Sequence, residues 1–414
     1  MNNQVQPLKG FRDFIGADAR KRQWLTDNIR LVFERFGYEP LETPTLEYES
    51  LLMGKYGDEA DKLIYSFEDR GARRVAMRYD QTIPTARIVA QYQNELVFPY
   101  KRYQIQPVWR ADKPQKGRYR EFLQCDADII GTRSVASDAE ILSVYAAIYA
   151  QIGITSLQIK INDRETLINK IKDSGISEYL VFSMIQTIDK LDKKSRDEVL
   201  EELERKNIGL ELGKKLLDSL ESSTMPQKIE EIISLAEKMG TKRETFVYAP
   251  TLARGLDYYT GMIFEGVIPE YEVGSVGGGG RYDKLLNELV GVDQPAVGFG
   301  LGFDRTLEAA ELLGKVPQDQ SFAKVLVTIF SPDLATRSME TANLLQKENI
   351  ATEIYLDPEK KLDAQLKYAN KKGIPFVVII GPEEAQNNQV KVKNMKTGEQ
   401  SSLAVDELKN FFQN

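Results

Sequence analysis

The segment LARGLDYYTGMIFE, residues 252–265, says most about how this chain folds. It is strand-like, holds an arginine, an aspartate and two tyrosines, and ends in an apolar run after Gly261. Polar and aromatic residues in this pattern predict a polar site carried on a strand. For this segment taken alone, a strand whose tyrosines only fill a core is the alternative interpretation.

Four other segments favour the functional interpretation. They are RYDQT (78–82), VWRADKPQKGRYREFLQCDADIIG (108–131), VGGGGRYD (276–283) and GFGLGFDR (298–305). In order along almost the whole chain, these segments and the first one resemble the signature set of histidyl-tRNA synthetase, a class II aminoacyl-tRNA synthetase. The resemblance implies an α+β fold. Residues 1–320 would form a catalytic domain with an antiparallel sheet and packed helices, and residues 324–414 a smaller α/β anticodon-binding domain.

Composition limits the possible partners. The chain has 414 residues and a net charge of −7, which argues against a protein that coats nucleic acid indiscriminately. A local basic surface could still bind one tRNA, and KPQKGRYR is a candidate. The C-terminal candidates are Lys360, Lys361, Lys367, Lys371 and Lys372. A solvated helix face is the alternative for these lysines.

The sequence lacks histidine and contains a single cysteine. With no histidine and one cysteine, Cys125, a Cys/His zinc site and an intrachain disulfide are impossible. We therefore expect only the α-amino group and a perturbed Cys125 to titrate near neutrality. No apolar run is long enough to span a membrane, and the polar start lacks a signal-peptide core, so a soluble cytoplasmic protein is expected.

The N-terminal region reads as a helix followed by an interrupted strand. The spacing of apolar residues predicts a helix over 22–36 that ends at Gly37. The extended segment after it contains Pro40 and Pro44, and a strand containing Pro44 should lie at an edge or an interface. In class II synthetases the matching elements form motif 1 at the dimer interface, so the resemblance implies a homodimer.

The middle of the chain reads as a hairpin and an inserted helical domain. Residues 100–131 predict two strands joined by a long basic loop. Ser137 and Glu140 predict a capping box at the start of the next helix. Residues from about 163 to 240 predict helices rich in lysine and glutamate, and glycine-rich strands return at 248–306.

The C-terminal region alternates strands with helices, which predicts a three-layer domain with a mostly parallel sheet. The predicted strands are 325–330, 352–356, 376–380 and an antiparallel 389–394. Helices are predicted between the first two strands, at 362–370 and from Val405. This resembles the anticodon-binding domain of histidyl-tRNA synthetases. A flavodoxin-like or other nucleotide-binding module would give a similar pattern.

Formation of an aminoacyl adenylate brings two anions together, so it needs fixed cations. Arginine suits this task because its planar fork stays charged and binds phosphate or carboxylate through two nitrogens. The resemblance implies that Arg110 contacts the α-phosphate, Arg118 the outer phosphates and Arg305 the adenine. It places Arg254 at the reacting carboxylate and α-phosphate. Each arginine taken alone could be a surface residue.

The resemblance also implies further contacts to ATP and to tRNA. Asp112 would read the adenine edge and Phe122 would stack on the ring. Mg²⁺ is expected with ATP, held largely by phosphates and water. The acceptor end of tRNA would approach Lys113, Gln115 and Arg120.

Selection of histidine needs a polar partner for each ring nitrogen. By resemblance, Asp128 and Tyr259 bind the two nitrogens. The remaining histidine-binding residues implied are Asp80, Thr82 and Gln124 at the α-amino group, with Arg254, Tyr258 and Tyr282 also lining the pocket. For each tyrosine alone, core packing is the alternative.

Two details qualify the comparison. GGGGRYD lacks the Lys-Ser/Thr of a phosphate loop, so we expect its glycines to let substrate approach the backbone. Leu123 and Gln81 stand where family members often carry other residue types. Histidine or an aromatic residue is frequent at the position of Leu123, and an apolar residue at that of Gln81.

The resemblance implies a histidine–tRNA ligase. ATP and histidine would give histidyl adenylate, and the terminal ribose of tRNA(His) would then accept the histidyl group. A non-catalytic synthetase-like regulatory subunit of histidine biosynthesis is the main alternative, and a histidine- or nucleotide-sensing module is another. Arg110, Gln124, Arg254 and the C-terminal domain count against a regulator, which need not retain them.

Overall fold

The computed structural model describes residues 5–53, 63–113, 119–192, 194–206, 208–254, 258–318 and 321–413. The chain forms two compact units, described separately below. The first comprises Met1–Asp13 and Arg22–Val316, and the second comprises Phe14–Lys21 and Pro317–Asn414. In the described ranges, none of the helices combines the length and apolar character needed to cross a membrane.

The elements before the helical segment include the predicted hairpin. In chain order they are α1 (Gly16–Arg35), β1 (Glu39–Pro40), β2 (Leu46–Tyr48), α2 (Glu49–Leu52), β3 (Ser66–Glu68), β4 (Arg74–Met77), α3 (Thr82–Gln91), β5 (Tyr100–Trp109), β6 (Glu121–Ile130), α4 (Val135–Gln151) and β7 (Gln158–Asp163). Strands β5 and β6 confirm the predicted hairpin.

Helices then dominate until the glycine-rich strands. The helices are α5 (Arg164–Asp173), α6 (Val181–Ile188), α7 (Arg196–Arg205), α8 (Leu210–Glu221) and α9 (Gln227–Lys238). The later elements of the first unit are β8 (Phe246–Tyr248), β9 (Met262–Val267), β10 (Gly277–Arg281), α10 (Leu285–Val290), β11 (Ala296–Gly302) and α11 (Phe303–Leu312).

The first unit is built on an eight-stranded sheet in the order β1-β5-β6-β11-β10-β9-β7-β8. Its pairings are antiparallel except β1 with β5 and β7 with β8. A smaller sheet has the order β2-β4-β3. This arrangement confirms the predicted α+β fold with an antiparallel sheet.

Strand β6 gives the large sheet two different faces because successive side chains of a strand point to opposite sides. The side chains in the main hydrophobic core are Cys125, Ala127 and Ile129. Helices α1, α4 and α9 contribute to the same core. The alternate residues, which face away from it, are Gln124, Asp126 and Asp128.

The helical segment divides between two cores. Residues of α5–α8 form a separate hydrophobic cluster that runs from Leu167 to Leu220 and also contains Ala253. Helix α9 instead places Ile229, Ile232 and Ile233 in the core of the large sheet. The helical character predicted for about 163–240 is therefore present, but its last helix packs with the sheet.

Three local predictions differ from the structure. Helix α1 begins at Gly16, earlier than predicted, although it ends before Gly37 as expected. Pro44 is not in a strand, because β1 ends at Pro40 and β2 begins at Leu46. Proline cannot donate to a strand ladder, which fits its place between the two.

The predicted capping box at α4 is also wrong. Ser134 is the N-cap, and its side chain accepts a hydrogen bond from the Ala136 amide at 3.3 Å. The hydroxyl of Ser137 donates to the Ser134 carbonyl at 2.6 Å. Glu140 pairs with Lys101 at 2.5 Å and is not a cap. Ser137 and Glu140 therefore bind other groups and do not form the predicted capping box.

The second unit is a five-stranded sheet in the order β13-β12-β14-β15-β16 with helices. Its elements are β12 (Val325–Val327), α12 (Ala335–Lys347), β13 (Thr352–Ile354), α13 (Leu362–Lys372), β14 (Phe376–Ile379), α14 (Pro382–Gln386), β15 (Gln389–Asn394), β16 (Gln400–Ala404) and α15 (Leu408–Gln413). Strands β13, β12 and β14 are parallel, as predicted. The sequence did not predict α14 or β16.

A buried ion pair ties β10 to the start of α4. Arg281 is 4% exposed and Asp138 is fully buried. Arg281 Nη2 lies 2.7 Å from Asp138 Oδ2 and donates to Ser137 Oγ at 2.8 Å. Its Nη1 donates to the Thr132 carbonyl at 3.0 Å. Each charged group is therefore held by several polar contacts inside the fold.

We expect Arg281→Ala to destabilise the chain by about 3–5 kcal/mol, because it leaves the Asp138 carboxylate buried and unpaired. The matched control is Arg196→Ala, which removes a more exposed guanidinium from Asp218 and Glu221 and should cost at most about 1 kcal/mol. Urea unfolding followed by circular dichroism measures both. Equal losses in the two variants would contradict this account.

Candidate active site

The polar face of the large sheet carries hydrogen-bonding side chains in register. Across the β5–β6 hairpin, Arg102 is opposite Asp128 and Gln104 is opposite Asp126. On the other side of β6, Gly298 and Gly300 of β11 occupy the facing positions. Large polar side chains on one strand therefore meet glycines on the next.

These glycines make room for side chains of the site. A Cβ added at Gly298 would overlap Asp128 Oδ1, and one added at Gly278 would overlap Arg254 Nη1. The sequence predicted that the glycines of GGGGRYD admit substrate to the backbone. At Gly278 the structure shows a closer occupant, the Arg254 guanidinium.

Asp128 is buried between two partners. Arg102 forms an ion pair with its Oδ2, and the Tyr282 hydroxyl donates to its Oδ1. Burial raises the pKa of Asp128, and the Arg102 guanidinium offsets part of that rise. The carboxylate is therefore fixed in position by groups that the sequence did not assign to this task, Arg102 among them.

Asp126 is a second buried carboxylate on the same face, and it was not among the predicted site residues. Gln124 Nε2 donates to Asp126 Oδ2 at 2.6 Å. Burial raises the pKa of Asp126 to about 7, with Asp128 and Asp80 adding to the rise and Arg102 opposing it. The signal was present, because the strand alternation puts Asp126 on one face with Gln124 and Asp128.

Cys125 does not have the role that composition suggested. Its side chain is fully buried in the core, and burial raises the pKa of the thiol well above its ordinary value. The expectation that Cys125 titrates near neutrality is therefore wrong. Desolvation disfavours the thiolate, which accounts for the direction of the shift.

Arg254 lies on a loop whose backbone is held by neighbours. Its φ of 48° is in the left-handed region, which is uncommon for a residue with a side chain. The buried Arg164 donates from Nη1 to the carbonyls of Ala253 and Arg254, both at 3.1 Å. The prediction that this part of the segment is a strand is wrong, because β9 begins only at Met262.

The Arg254 guanidinium is oriented by acceptors on β9. Its Nη1 donates to Glu265 Oε1 at 3.1 Å and to the Phe264 carbonyl at 3.3 Å. The guanidinium carbon lies 5.8 Å from the centre of the Tyr259 ring. Burial opposes its charge, but Tyr259 and Glu265 outweigh burial, so the pKa of Arg254 is raised. The arginine stays cationic at neutral pH.

Three tyrosines connect Arg254 with Asp128. The rings of Tyr258 and Tyr259 are 4.6 Å apart, and those of Tyr258 and Tyr282 are 5.9 Å apart and nearly perpendicular. Tyr259 and Tyr282 also belong to a hydrophobic cluster. The core-packing interpretation is thus partly right, since these rings pack in a cluster and also line polar groups.

Asp80 and Thr82 lie at the start of α3. Asp80 Oδ1 accepts from the Ile83 amide at 3.3 Å, and Thr82 is the first residue of the helix. The charge of Asp80 contributes to the raised pKa of Asp126, so these two carboxylates are neighbours electrostatically. Asp80 therefore lies near the polar face of the sheet, although it is not on a strand.

The two departures from the family pattern are accommodated. Gln81 is fully buried, and its Nε2 donates to the carbonyls of Gln106 and Gln124 at 2.9 and 3.1 Å. It thus ties the backbones of β5 and β6 together. Leu123 packs against the main core.

Arg110 and Arg305 are anchored by backbone carbonyls. Arg110 Nε donates to the Tyr79 carbonyl at 2.9 Å, and its guanidinium lies 5.1 Å from the Phe122 ring centre. Arg305 Nη1 donates to the Ser275 carbonyl at 2.8 Å. Each arginine keeps further nitrogens for other partners, because a guanidinium has five N–H groups.

The loop after β5 is described only in part. Arg120 Nε donates to the Asp112 carbonyl at 3.0 Å, and its Nη1 donates to the Lys9 carbonyl at 3.3 Å. Lys113 is exposed. Gln115 and Arg118 lie outside the described residues. Among the residues that the structure does describe, no group of three or more acidic or cysteine side chains could hold a metal ion.

Comparison with known proteins agrees with this geometry. The family model "Histidyl-tRNA synthetase" matches residues 10–306, and the model "Anticodon binding domain" matches residues 324–414. The histidine–tRNA ligase of Christiangramia forsetii is 40% identical, covering 95% of this chain and 96% of its own. A solved histidyl-tRNA synthetase from Nostoc sp. PCC 7120 is similar, with a TM-score of 0.89, 28% identity and 99% of both chains covered.

A more distant solved structure shares the fold alone. It is described as an ATP phosphoribosyltransferase regulatory subunit/histidyl-tRNA synthetase from Bacillus halodurans. The TM-score is 0.75 at 20% identity, covering 88% of this chain and 96% of that one.

We expect Gly298→Ala to destabilise the chain by about 1–3 kcal/mol, because the added Cβ would overlap the Asp128 carboxylate and force it to move. Gly209→Ala is the control for the added methyl group, since a Cβ there has no neighbour within 4 Å, and the loss of glycine at the N-cap of α8 should cost at most about 1 kcal/mol. Urea unfolding of both variants gives the comparison. A Gly298→Ala protein as stable as the control would show that the contact at β11 is loose.

Proposed function

The chain belongs to the histidyl-tRNA synthetase family, and on that premise we propose how its residues activate histidine with ATP and transfer it to the 3′ end of tRNA(His). The observation that supports this most directly is the polar sheet face, where a fixed arginine and buried carboxylates are joined by three tyrosines. The regulatory-subunit alternative is not favoured, because relatives called histidine–tRNA ligase match nearly the full length. The anticodon-binding model also matches a complete second region.

Arg254 is the residue we propose for stabilising the adenylation step. A carboxylate oxygen of histidine attacks the α-phosphorus of ATP, the bond to the bridging oxygen breaks, and pyrophosphate leaves. Negative charge grows between two anions during this step, so a preorganised cation lowers the barrier. In the part of the chain that the structure describes, Glu265 and the Phe264 carbonyl accept from one guanidinium nitrogen, and we assign the others to the carboxylate and the phosphate.

ATP would lie along the end of the β5–β6 hairpin. Arg110 would contact the α-phosphate and Arg305 the adenine, while Phe122 would stack on the base and Asp112 would read its edge. The short distance between the Arg110 guanidinium and the Phe122 ring supports a shared nucleotide site. Arg118 is proposed for the outer phosphates by family resemblance alone. Mg²⁺ would enter with ATP as part of the substrate.

Histidine would lie across the polar face. Asp128 and Tyr259 would bind the two ring nitrogens, and Tyr258 and Tyr282 would line the pocket. An aspartate held by Arg102 and Tyr282 cannot turn away, so it discriminates against side chains without a ring N–H. The α-amino group would meet Asp80, Thr82 and Gln124.

Transfer to tRNA would use both units of the chain. We propose that residues 1–320, with the helical insertion at about 163–240, carry catalysis, and that residues 324–414 read the anticodon. Lys113, Gln115 and Arg120 are proposed for the acceptor end. In the second unit, Lys367 pairs with Asp363 and Lys372 with Glu353, both at 2.7 Å. These pairs neutralise part of the charge of the C-terminal lysines.

We further propose a homodimer in the cytoplasm. The small sheet exposes three large apolar side chains, Leu46, Tyr48 and Phe67. Leu46 and Tyr48 follow Pro44 closely in sequence, and Phe67 lies on another strand of the same sheet. Exposed apolar groups of this kind favour a protein interface. Arg78 donates to the Pro44 carbonyl at 3.1 Å and anchors this segment.

Pyrophosphate exchange tests the function directly. We expect the purified chain to exchange pyrophosphate into ATP only when histidine is present, and to charge tRNA(His) with histidine. Other amino acids serve as the control, because the pocket should reject side chains without ring nitrogens. Exchange that does not depend on histidine, or no exchange at all, would favour a sensing or regulatory protein.

Arg254→Ala should lower histidine-dependent pyrophosphate exchange by about 100- to 1000-fold, or roughly 3–4 kcal/mol, because a preorganised donor is lost from the transition state. Arg254→Lys should rescue poorly, since a point charge cannot reach both anions as a fork does. Arg243→Ala is the control, because that arginine also pairs with glutamates but on the exposed surface. Near wild-type exchange by a folded Arg254→Ala protein would disprove the role.

A further inference from the structure

Asp126 is buried beside the proposed histidine pocket and forms few hydrogen bonds with the rest of the described structure. It is 4% exposed, and its Oδ2 accepts from Gln124 Nε2 at 2.6 Å. Its Oδ1 is buried without a hydrogen-bond partner among the described residues, and a Cβ at Gly300 would lie 3.1 Å from it. A buried carboxylate oxygen without a partner costs free energy, so fold stability does not explain this residue.

The bond to Gln124 decides which end of the amide faces the pocket. A side-chain amide has one accepting oxygen and one donating nitrogen, and the partners around it determine its orientation. An ionised carboxylate can only accept. Because Asp126 takes the nitrogen of Gln124, the oxygen of Gln124 is left as an acceptor for another group.

The α-ammonium group of an amino acid can only donate hydrogen bonds, so it requires acceptors. Gln124 Oε1 supplies one only while the amide keeps this orientation. Gln81 holds the Gln124 backbone carbonyl at 3.1 Å, so the strand itself does not move to compensate. The orientation of a single side chain therefore bears on amino-acid binding.

We propose that Asp126 is a positioning residue for histidine binding: by accepting from Gln124 Nε2, it directs Gln124 Oε1 at the α-ammonium group of histidine. This inference rests on the proposed function, because it needs an amino acid in the pocket. Protonated Asp126 would instead donate its O–H to Gln124 Oε1. The amide would then present its nitrogen to the ammonium group, and two donors cannot bind each other.

The surroundings place this change near neutrality. Burial raises the pKa of Asp126 to about 7. Arg102 faces it from β5, Asp128 from β6 and Asp80 from the segment before α3, and β11 contributes only glycine opposite. Asp126 is ionised above that pH, where Gln124 is correctly oriented, and protonated below it. Histidine binding should therefore weaken as the pH falls through about 7.

The experiment measures kcat and KM for histidine in pyrophosphate exchange between about pH 5.5 and 8.5, spanning the ordinary range of an imidazole and the raised carboxyl. The full-length wild type is compared with Asp126→Asn, which cannot titrate and whose amide, unlike an ionised carboxylate, can both accept from and donate to Gln124. Asp126→Ala removes the acceptor. Asp293→Asn, on the exposed surface, is the matched control and should follow the wild type. The titration of histidine itself is common to all four proteins.

We expect the KM of the wild type to rise by up to about tenfold per pH unit below the Asp126 transition, the limit for one proton. Asp126→Asn should lack this rise, with a KM at or above that of the wild type at high pH, because its amide can either accept from or donate to Gln124. Asp126→Ala should raise KM about tenfold or more at every pH, with a smaller change in kcat, because a hydrogen bond to a charged group is lost. On a Gln124→Met background, Asp126→Asn should have no further effect.

Identical pH profiles of KM in the wild type and Asp126→Asn would overturn the proposal, and so would an unchanged KM in Asp126→Ala. If Asp126→Asn does not fold, Asp126→Ser provides the same test with a smaller residue that does not titrate. Absence of histidine-dependent exchange in the wild type would instead overturn the proposed function. The two failures are therefore distinguishable.

Discussion

Strand β6 has to satisfy two environments at once, and the polar face depends on how it does so. Its side chains alternate between the core and the opposite side. In QCDAD, residues 124–128, the thiol and the methyl group face the core, and the amide and the two carboxylates face the other side. Polar side chains of that size need space above the sheet. Glycines on β10 and β11 provide it, because a Cβ at Gly278 or Gly298 would overlap Arg254 or Asp128. The large polar side chains of the site therefore require the glycines on the neighbouring strands.

The charges on this face differ in how well they are compensated. Asp128 has Arg102 on one oxygen and Tyr282 on the other, whereas Asp126 has one amide donor and, among the described residues, no partner for its other oxygen. Taking a carboxylate out of water is unfavourable, and a raised pKa is how that cost appears. Both carboxylates show it. Strongly perturbed groups gathered around a pocket are typical of functional sites, because stability alone would favour apolar residues there.

Much of the fold followed from patterns with a direct physical meaning. The β5–β6 hairpin followed from two apolar strands around a charged loop, and the parallel strands of the second unit followed from alternation with helices. Local motifs predicted less well. The capping box at Ser137 was wrong because Arg281, far away in sequence, takes the Ser137 hydroxyl. Arg254 was assigned to a strand because no sequence pattern reports that Arg164 can hold its backbone in the left-handed region.

The site also divides into features that the sequence predicted and features that it did not. The residue types needed for adenylation were visible in the sequence, since four arginines stood in segments that resemble one family. Their support was not visible. Arg102 contacts Asp128 across the β5–β6 hairpin, Glu265 contacts Arg254 on the preceding loop, and Gln81 reaches the carbonyls of Gln106 and Gln124 from the start of α3. A single sequence does not reveal such contacts. Asp126 stands between Gln124 and Asp128 on the same face of the predicted strand. Its pKa, however, depends on burial and on three neighbouring charges, which the sequence does not show.

A chain without histidine has no imidazole to move protons near neutrality, yet the proposed chemistry does not need one. The attacking group in adenylation is a carboxylate, which is already ionised, and the leaving group is pyrophosphate, which arginine and Mg²⁺ can neutralise. No proton has to be transferred in that step. The pH range of an ordinary imidazole is nevertheless occupied, because burial brings an aspartate to about the same pKa. Environment, more than residue type, determines where a group titrates, so composition alone could not have excluded a neutral-pH transition in this protein.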